Sequence, residues 1–128
     1  MNLLDIIGPV MVGPSSSHTA GAVKIGRVSR KLLAEEVADA KIYFHGSFLA
    51  TGKGHGTDKA ILAGLLGMKP DDLRIPNAYQ EAKNAGMKYS FRTVDLRDAH
   101  PNTALLELSG KSGKQMTLQA SSVGGGAI

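Results

Sequence analysis

The chain predicts an α+β fold, with helices packed on one face of a mostly antiparallel sheet. Three observations carry that expectation. Helix-period apolar stripes fill the first two thirds of the sequence, interrupted by a single strand-like run. Three strand-like runs then follow one another toward the C-terminus. The last two are separated by Gly110-Lys111-Ser112-Gly113, a tight hairpin signal. The order helix, strand, helix, helix and three strands places the helices on one face of a mostly antiparallel sheet. At 128 residues the chain is expected to form one domain, 1–128, around a single core.

The elements are read in order. Leu3 to Ile7 is an apolar turn closed by Gly8-Pro9. A helix is expected from about His18 to Glu36, with Gly21, Ile25, Val28 and Leu32 as its buried stripe. Lys24, Arg27 and Lys31 fall on a neighbouring face, which reads as solvated. Ala22 and Gly26 are small enough to admit another backbone at close range. Asp39 to Phe44 is a core strand ending at His45-Gly46-Ser47. Thr57 or Asp58 caps a helix running through Leu66, with Gly67 as its C′ residue and Pro70 blocking continuation. Asn77 to Asn84 is a third helix ended by Gly86. The three strands are Lys88–Val94, Thr103–Leu108 and Gln115–Ala120. Ser121 to Gly126 reads as a flexible, linker-like ending, and His100-Pro101-Asn102 as a turn. His45 and His100 are expected to be packed or surface residues rather than catalysts.

Composition excludes several functions. The chain is 42% hydrophobic and 20% charged, without an apolar run long enough for a membrane span or a secretory leader at its start. A cytoplasmic location and no membrane partner are expected. Its formal charge is +4, but aromatics are only 5% and Trp is 0, so stacking platforms for nucleic acid are sparse. No helix-turn-helix or zinc-finger spacing is present, and no nucleic-acid partner is expected. With Cys at 0, the chain has no disulfide, thiolate nucleophile or thiolate-bound metal of its own.

Two polar turns carry the chemistry. Gly13-Pro14-Ser15-Ser16-Ser17-His18-Thr19 places a Gly-Pro loop and three hydroxyls at the start of the first helix. Hydroxyls, free N–H donors and the positive end of a helix dipole together suit a carboxylate or phosphate. The same serines also serve as plain N-caps, but a cap has no need of the imidazole at His18. Gly52-Lys53-Gly54-His55-Gly56-Thr57-Asp58 holds a histidine between glycines, where the backbone can approach a ligand. Histidine is the side chain suited to moving a proton near neutral pH. The alternative is a glycine-rich connection with an exposed histidine. Neither a Walker A loop nor a dinucleotide fingerprint fits this spacing.

These two turns, with Gly46-Ser47 and Ser122-Val123-Gly124-Gly125-Gly126, occur in this order in one family. They resemble the β chain of the bacterial iron–sulfur-dependent L-serine dehydratases, and the resemblance covers essentially the whole chain. His100-Pro101-Asn102-Thr103 resembles the form found in members built of separate α and β chains. The resemblance implies conversion of L-serine to pyruvate and ammonia, with a 4Fe-4S cluster ligated by the partner α chain. It also implies an oligomer, homo- or hetero-, and a fold like the allosteric substrate-binding domain of phosphoglycerate dehydrogenases. An ACT domain usually follows that fold, and the sequence here reaches Ala127-Ile128, where such a domain is expected to begin.

Chemistry and resemblance together assign the roles. Ser15, Ser16, Ser17 and Thr19 bind the substrate carboxylate, and His18 orients that loop or lines the site. His55 is the general base at Cα or its proton relay, and Lys53 stabilises negative charge beside it. No metal ligand is expected in this chain. A competing reading makes the two turns and the Lys24–Arg27–Lys31 face a small-anion-sensing module without catalysis. An anion sensor has no need of a titratable base between two glycines. A third, a subunit that only shields the α-chain cluster, leaves His18 and His55 without a role.

Overall fold

The computed structural model describes the backbone of residues 6–15, 18–46 and 56–124, and the side chains of 7–12, 20–46 and 56–122. Five strands form one sheet. Strand β1 (Ile6–Ser15) leads into helix α1 (His18–Leu33) and strand β2 (Val37–Gly46). Helix α2 (Thr57–Leu65), a 3-10 turn (Ile75–Asn77) and helix α3 (Ala78–Asn84) come next. Strands β3 (Lys88–Thr93), β4 (Asn102–Gly110) and β5 (Gln115–Gly124) complete the order. Across the sheet the strands run β1-β5-β4-β2-β3. The α+β class is as expected. The central ladders, β5 with β4 and β4 with β2, are antiparallel, whereas the outer pairs, β1 with β5 and β2 with β3, are parallel.

One core holds the molecule together. Alternate residues of the central strands point to the helices: Ala40, Ile42 and Phe44 on β2, Ala104, Leu106 and Leu108 on β4, and Met116, Leu118 and Ala120 on β5. Val23, Ile25 and Leu33 of α1 and Ile61, Leu62 and Leu65 of α2 close over them. The opposite face carries Lys41, Tyr43 and Glu107, where Tyr43 is held by a hydrogen bond to the Glu107 carboxylate that raises its hydroxyl pKa.

Four expectations need correction. Ile6 and Ile7 of the expected Leu3–Ile7 turn and the whole Gly13-Pro14 loop lie in strand β1, which runs through both Gly-Pro pairs to Ser15, while Leu3 to Asp5 lie outside the described residues. As an edge strand β1 pairs only with β5, and its register shifts on either side of Val10–Val12, so prolines are tolerated there. The Ser121–Gly126 tail is in fact strand through Gly124, with Ser121 and Ser122 buried; Gly125 and Gly126 lie outside the described residues. Leu32 is 45% exposed rather than part of the buried stripe. The buried side of α1 is centred instead on Ala22, Val23, Ile25, Gly26, Ser29 and Leu33, because α2 approaches along Gly26. Finally, α2 begins after Gly56 in the left-handed region (φ 84) with no side-chain cap, so neither Thr57 nor Asp58 is the N-cap.

The anticipated close approach at Gly26 is present. An added Cβ on Gly26 would lie 2.8 Å from Leu65 N, and one on Gly64 would lie 2.8 Å from both Arg27 N and Gly26 Cα. Helices α1 and α2 therefore cross backbone to backbone. The Arg30 guanidinium donates to Leu65 O at 3.2 Å, joining the last turns of the two helices. Gly67 (φ 92) and Gly86 (φ 73) end α2 and α3 in the left-handed conformation, as their positions predicted.

Candidate functional site

The topology brings the strand ends that lead into the sequence motifs to one end of the sheet. Strand β1 is parallel to β5, β5 is antiparallel to β4, and β4 is antiparallel to β2. The C-terminal ends of β1, β5 and β2 thus point the same way. Ser15 is paired with Gly124, Ser121 with Thr103, and Gly46 with Asn102. Ser15 and Gly46 are separated by three strand spacings, about 14 Å.

Both helix N-termini face this end. Their last turns are joined at Arg30 and Leu65, so their first turns lie on the other side of the glycine crossing. Gly26 follows His18 by eight residues and Gly64 follows Thr57 by seven. At 1.5 Å per residue, each N-terminus projects roughly 10–12 Å beyond the crossing.

Of the sequence-predicted site residues, Ser15 is the last residue of β1, and His18 and Thr19 open α1. Their backbone is placed, and their side chains lie outside the described residues. Ser16, Ser17, Lys53 and His55 lie outside the described residues altogether. Ser15 and His18 flank the first turn and Gly46 and Gly56 the second, and the strands that lead into the two turns end on the same side of the sheet.

Gly46 sits in the left-handed region (φ 62), and an added Cβ would lie 2.8 Å from Pro101 Cα. The β3–β4 connection therefore packs against the root of the 47–55 segment. Two histidines hold that connection in place. His45 Nδ1 accepts from Leu96 N–H at 3.1 Å, and His100 Nδ1 accepts from Asn102 N–H at 3.0 Å. Both are structural acceptors, in keeping with the packed or surface roles expected of them. Thr103 Oγ1 lies 2.5 Å from His100 O and 2.6 Å from Ser121 Oγ, so the buried hydroxyls at this edge are satisfied.

Sequence reading missed one contact. Asp58, 8% exposed in the first turn of α2, accepts from Lys59 N–H at 2.8 Å and from the Tyr79 hydroxyl of α3. Burial, followed by the hydrogen bond to Asp58 and its charge, pushes the Tyr79 hydroxyl above the ordinary phenol range. The partners are 21 residues apart, and no local pattern signals the pair.

The chain matches the family described as serine dehydratase beta chain over residues 3–128. It belongs to that family. It is 46% identical over 125 residues to the L-serine dehydratase, beta chain of Peptoniphilus asaccharolyticus, covering 97% of this chain and 56% of the relative. It is 50% identical over 127 residues to the probable L-serine dehydratase, beta chain of Bacillus subtilis (strain 168), covering 99% of this chain and 57% of the relative. L-serine dehydratase 2 of Escherichia coli (strain K12) is 40% identical over 95 residues, covering 67% of this chain and 20% of that protein. The chain thus spans little more than half the length of the two beta-chain relatives.

The donor set of this β-chain family member does not fit an iron–sulfur cluster. The sequence has no cysteine, and no group of three or more His, Asp or Glu that could hold a metal ion occurs among the described residues. Among the described residues, no helix is long and apolar enough to cross a membrane.

Proposed function

We propose that this chain is the β-chain part of a cytoplasmic L-serine dehydratase, acting on L-serine with an α chain that ligates a 4Fe-4S cluster. Membership of the serine dehydratase beta-chain family over residues 3–128 carries this reading. The sheet topology supports it, since the strands leading into both polar turns end on the same side of the sheet. The cluster supplies a Lewis acid for departure of the substrate hydroxyl when the α chain is bound. The reaction removes the Cα proton and the Cβ hydroxyl as water. The resulting enamine tautomerises and takes water back to give pyruvate and ammonia.

The β chain supplies substrate binding and proton movement. The hydroxyls of Ser15, Ser16, Ser17 and Thr19, with the first N–H groups of α1, receive the substrate carboxylate. His18 lines or orients that loop. Lys53 stabilises the negative charge that develops on the carboxylate side as the Cα–H bond breaks. His55 takes the Cα proton or relays it.

Two results test this assignment. Anaerobic iron–sulfur reconstitution of the isolated chain should yield neither a cluster nor serine dehydratase activity, and activity should appear on adding the α chain. A stoichiometric brown chromophore in the isolated chain, or no gain on mixing, overturns the division of labour. Ser16→Ala and Ser17→Ala should each raise KM for serine about tenfold or more, since a hydrogen bond to a charged group contributes about 1.5–3 kcal/mol. Loss of a cap costs about 1 kcal/mol, which a domain of this size survives. Variants that unfold without a KM effect assign the serines to capping alone.

A further inference from the structure

The positive charge of the chain is concentrated on one helix. The formal net charge is +4. Helix α1 carries Lys24, Arg27, Arg30 and Lys31 and no acidic residue, so the rest of the chain holds acids and bases in equal number. Arg30 turns inward to Leu65 O. Lys24, Arg27 and Lys31 are spaced i, i+3 and i+7, which sets them in one ridge along the outer side of the helix. Among the described residues neither Arg27 nor Lys31 stands in an ion pair; the pairs there join Arg74 to Asp72 and Glu81. The helix dipole accounts for cations in the last turn, where Arg30 and Lys31 lie, but not for Lys24 and Arg27.

The same side of the molecule exposes apolar surface. Five large hydrophobic residues are exposed among the described ones: Ile7, Met11, Leu32, Leu73 and Tyr89. The first three belong to β1 and α1, and α1 packs against β1 and β5. Ile7 pairs with the core residue Leu118, so it points to the side of the sheet on which α1 lies. Val28, next along the ridge from Arg27, is only partly buried against the core. Strand β1 is at the sheet edge and is hydrogen-bonded to β5 alone among the strands. A basic ridge thus stands beside apolar side chains and an open strand edge.

We propose that the outer side of α1 and the adjoining edge of β1 form the surface on which the α chain docks. The α chain presents carboxylates to Arg27 and Lys31 and apolar side chains to Leu32 and Ile7. This inference rests on the reading of the chain as the β-chain part of a two-chain enzyme, and it names the face used. A second copy of this chain is a poor occupant, because a two-fold contact sets the ridge against itself and opposes like charges. Nucleic acid would answer the cations but gain nothing from Leu32 or Ile7. An acidic protein surface uses both, with apolar contact at the centre and charges at the rim. The ridge also begins close to where the partner must stand. Lys24 is six residues from His18, or about 9 Å along the helix from the end at which the substrate is proposed to bind.

The test is the rate at which separately purified α and β chains associate, measured as a function of salt. Arg27→Glu with Lys31→Glu should slow association about tenfold or more at low salt, and the difference should shrink at high salt, because rim charges act on the encounter and are screened. Lys69→Glu with Lys83→Glu makes the same change in net charge at exposed positions off the ridge and should slow association less than about threefold. Leu32→Ser should act instead on dissociation, raising the off-rate about tenfold. Circular dichroism checks the fold, and Lys31→Glu alone, at an exposed position, carries the test if the double ridge variant unfolds. Unchanged association of the ridge variant overturns the proposal, as do equal losses in the two double variants, which would make the effect one of net charge. A chain that sediments alone as a dimer and reverts to monomer on Leu32→Ser gives the face to a second copy and also overturns it. So does loss of DNA-duplex binding in the ridge variant with α-chain association intact. If the unaltered chains do not associate at all, the two-chain reading fails first and the docking face with it.

Discussion

Replacing His55 with alanine is expected to lower serine turnover by the α–β enzyme by roughly two to four orders of magnitude, the usual contribution of a positioned general base. Subunit association and cluster content should be unchanged. The proton at Cα leaves only if a base stands beside it, and a Lewis acid at the hydroxyl cannot also serve as that base. His55 is flanked by Gly54 and Gly56, and Gly56 adopts a left-handed φ of 84 that a side chain there would strain. Loss of the imidazole from such a turn removes chemistry more than packing. Pyruvate formation measured against enzyme concentration decides the matter, with cluster absorbance as the check on assembly. His18→Ala is the control and should show a smaller rate loss and a weaker apparent affinity for serine. Near-normal turnover in His55→Ala, with a severe loss in His18→Ala, would move the base to the first turn.

The parts of this architecture that were legible in the sequence are those set by local periodicity. Helices α1 to α3 and strands β2 to β5 are legible from local pattern, and the glycines that end α2 and α3, Gly67 and Gly86, from the left-handed conformation that a helix end calls for. Strand β1 was hidden because Gly8-Pro9 and Gly13-Pro14 have the local chemistry of turns. Only its place at the sheet edge, a tertiary fact, makes them acceptable in a strand. The same edge strand explains the tail, since Ser121 pairs with β1 on one side and β4 on the other, and Ser122 and Gly124 pair with β1. Leu32 was misplaced because a stripe of large residues pointed one way while the small residues Ala22 and Gly26 decided where α2 would lie. The two polar turns stood out by residue type and spacing. That the strands leading into them end on the same side of the sheet did not, because it depends on the parallel pairing of the first strand with the last.

Substituting alanine for Gly64 is expected to destabilise the domain by about 3 kcal/mol or more, a large share of the 5–15 kcal/mol available to a protein of this kind. On an exposed helix the same change would stabilise by about 1 kcal/mol, because alanine is the better helix former. The sign reverses here because the new methyl group has no room. It would stand 2.8 Å from Arg27 N and from Gly26 Cα, with Val23 O nearer still, and all three are backbone atoms that cannot swing aside. The helices must separate, and Val23, Ile25, Ile61 and Leu65, each fully buried, lose packing as they do. Gly67→Ala is the matched control. No heavy atom lies within 4 Å of its added Cβ, so only the left-handed φ of 92 is strained, at about 1–2 kcal/mol. Urea unfolding of the two variants measures the difference, and a Gly64→Ala no less stable than Gly67→Ala would contradict the backbone-to-backbone crossing. The crossing also sets where the N-termini of α1 and α2 meet the sheet edge. On the proposed function, any Gly64→Ala protein that still folds should therefore assemble with the α chain yet bind serine more weakly.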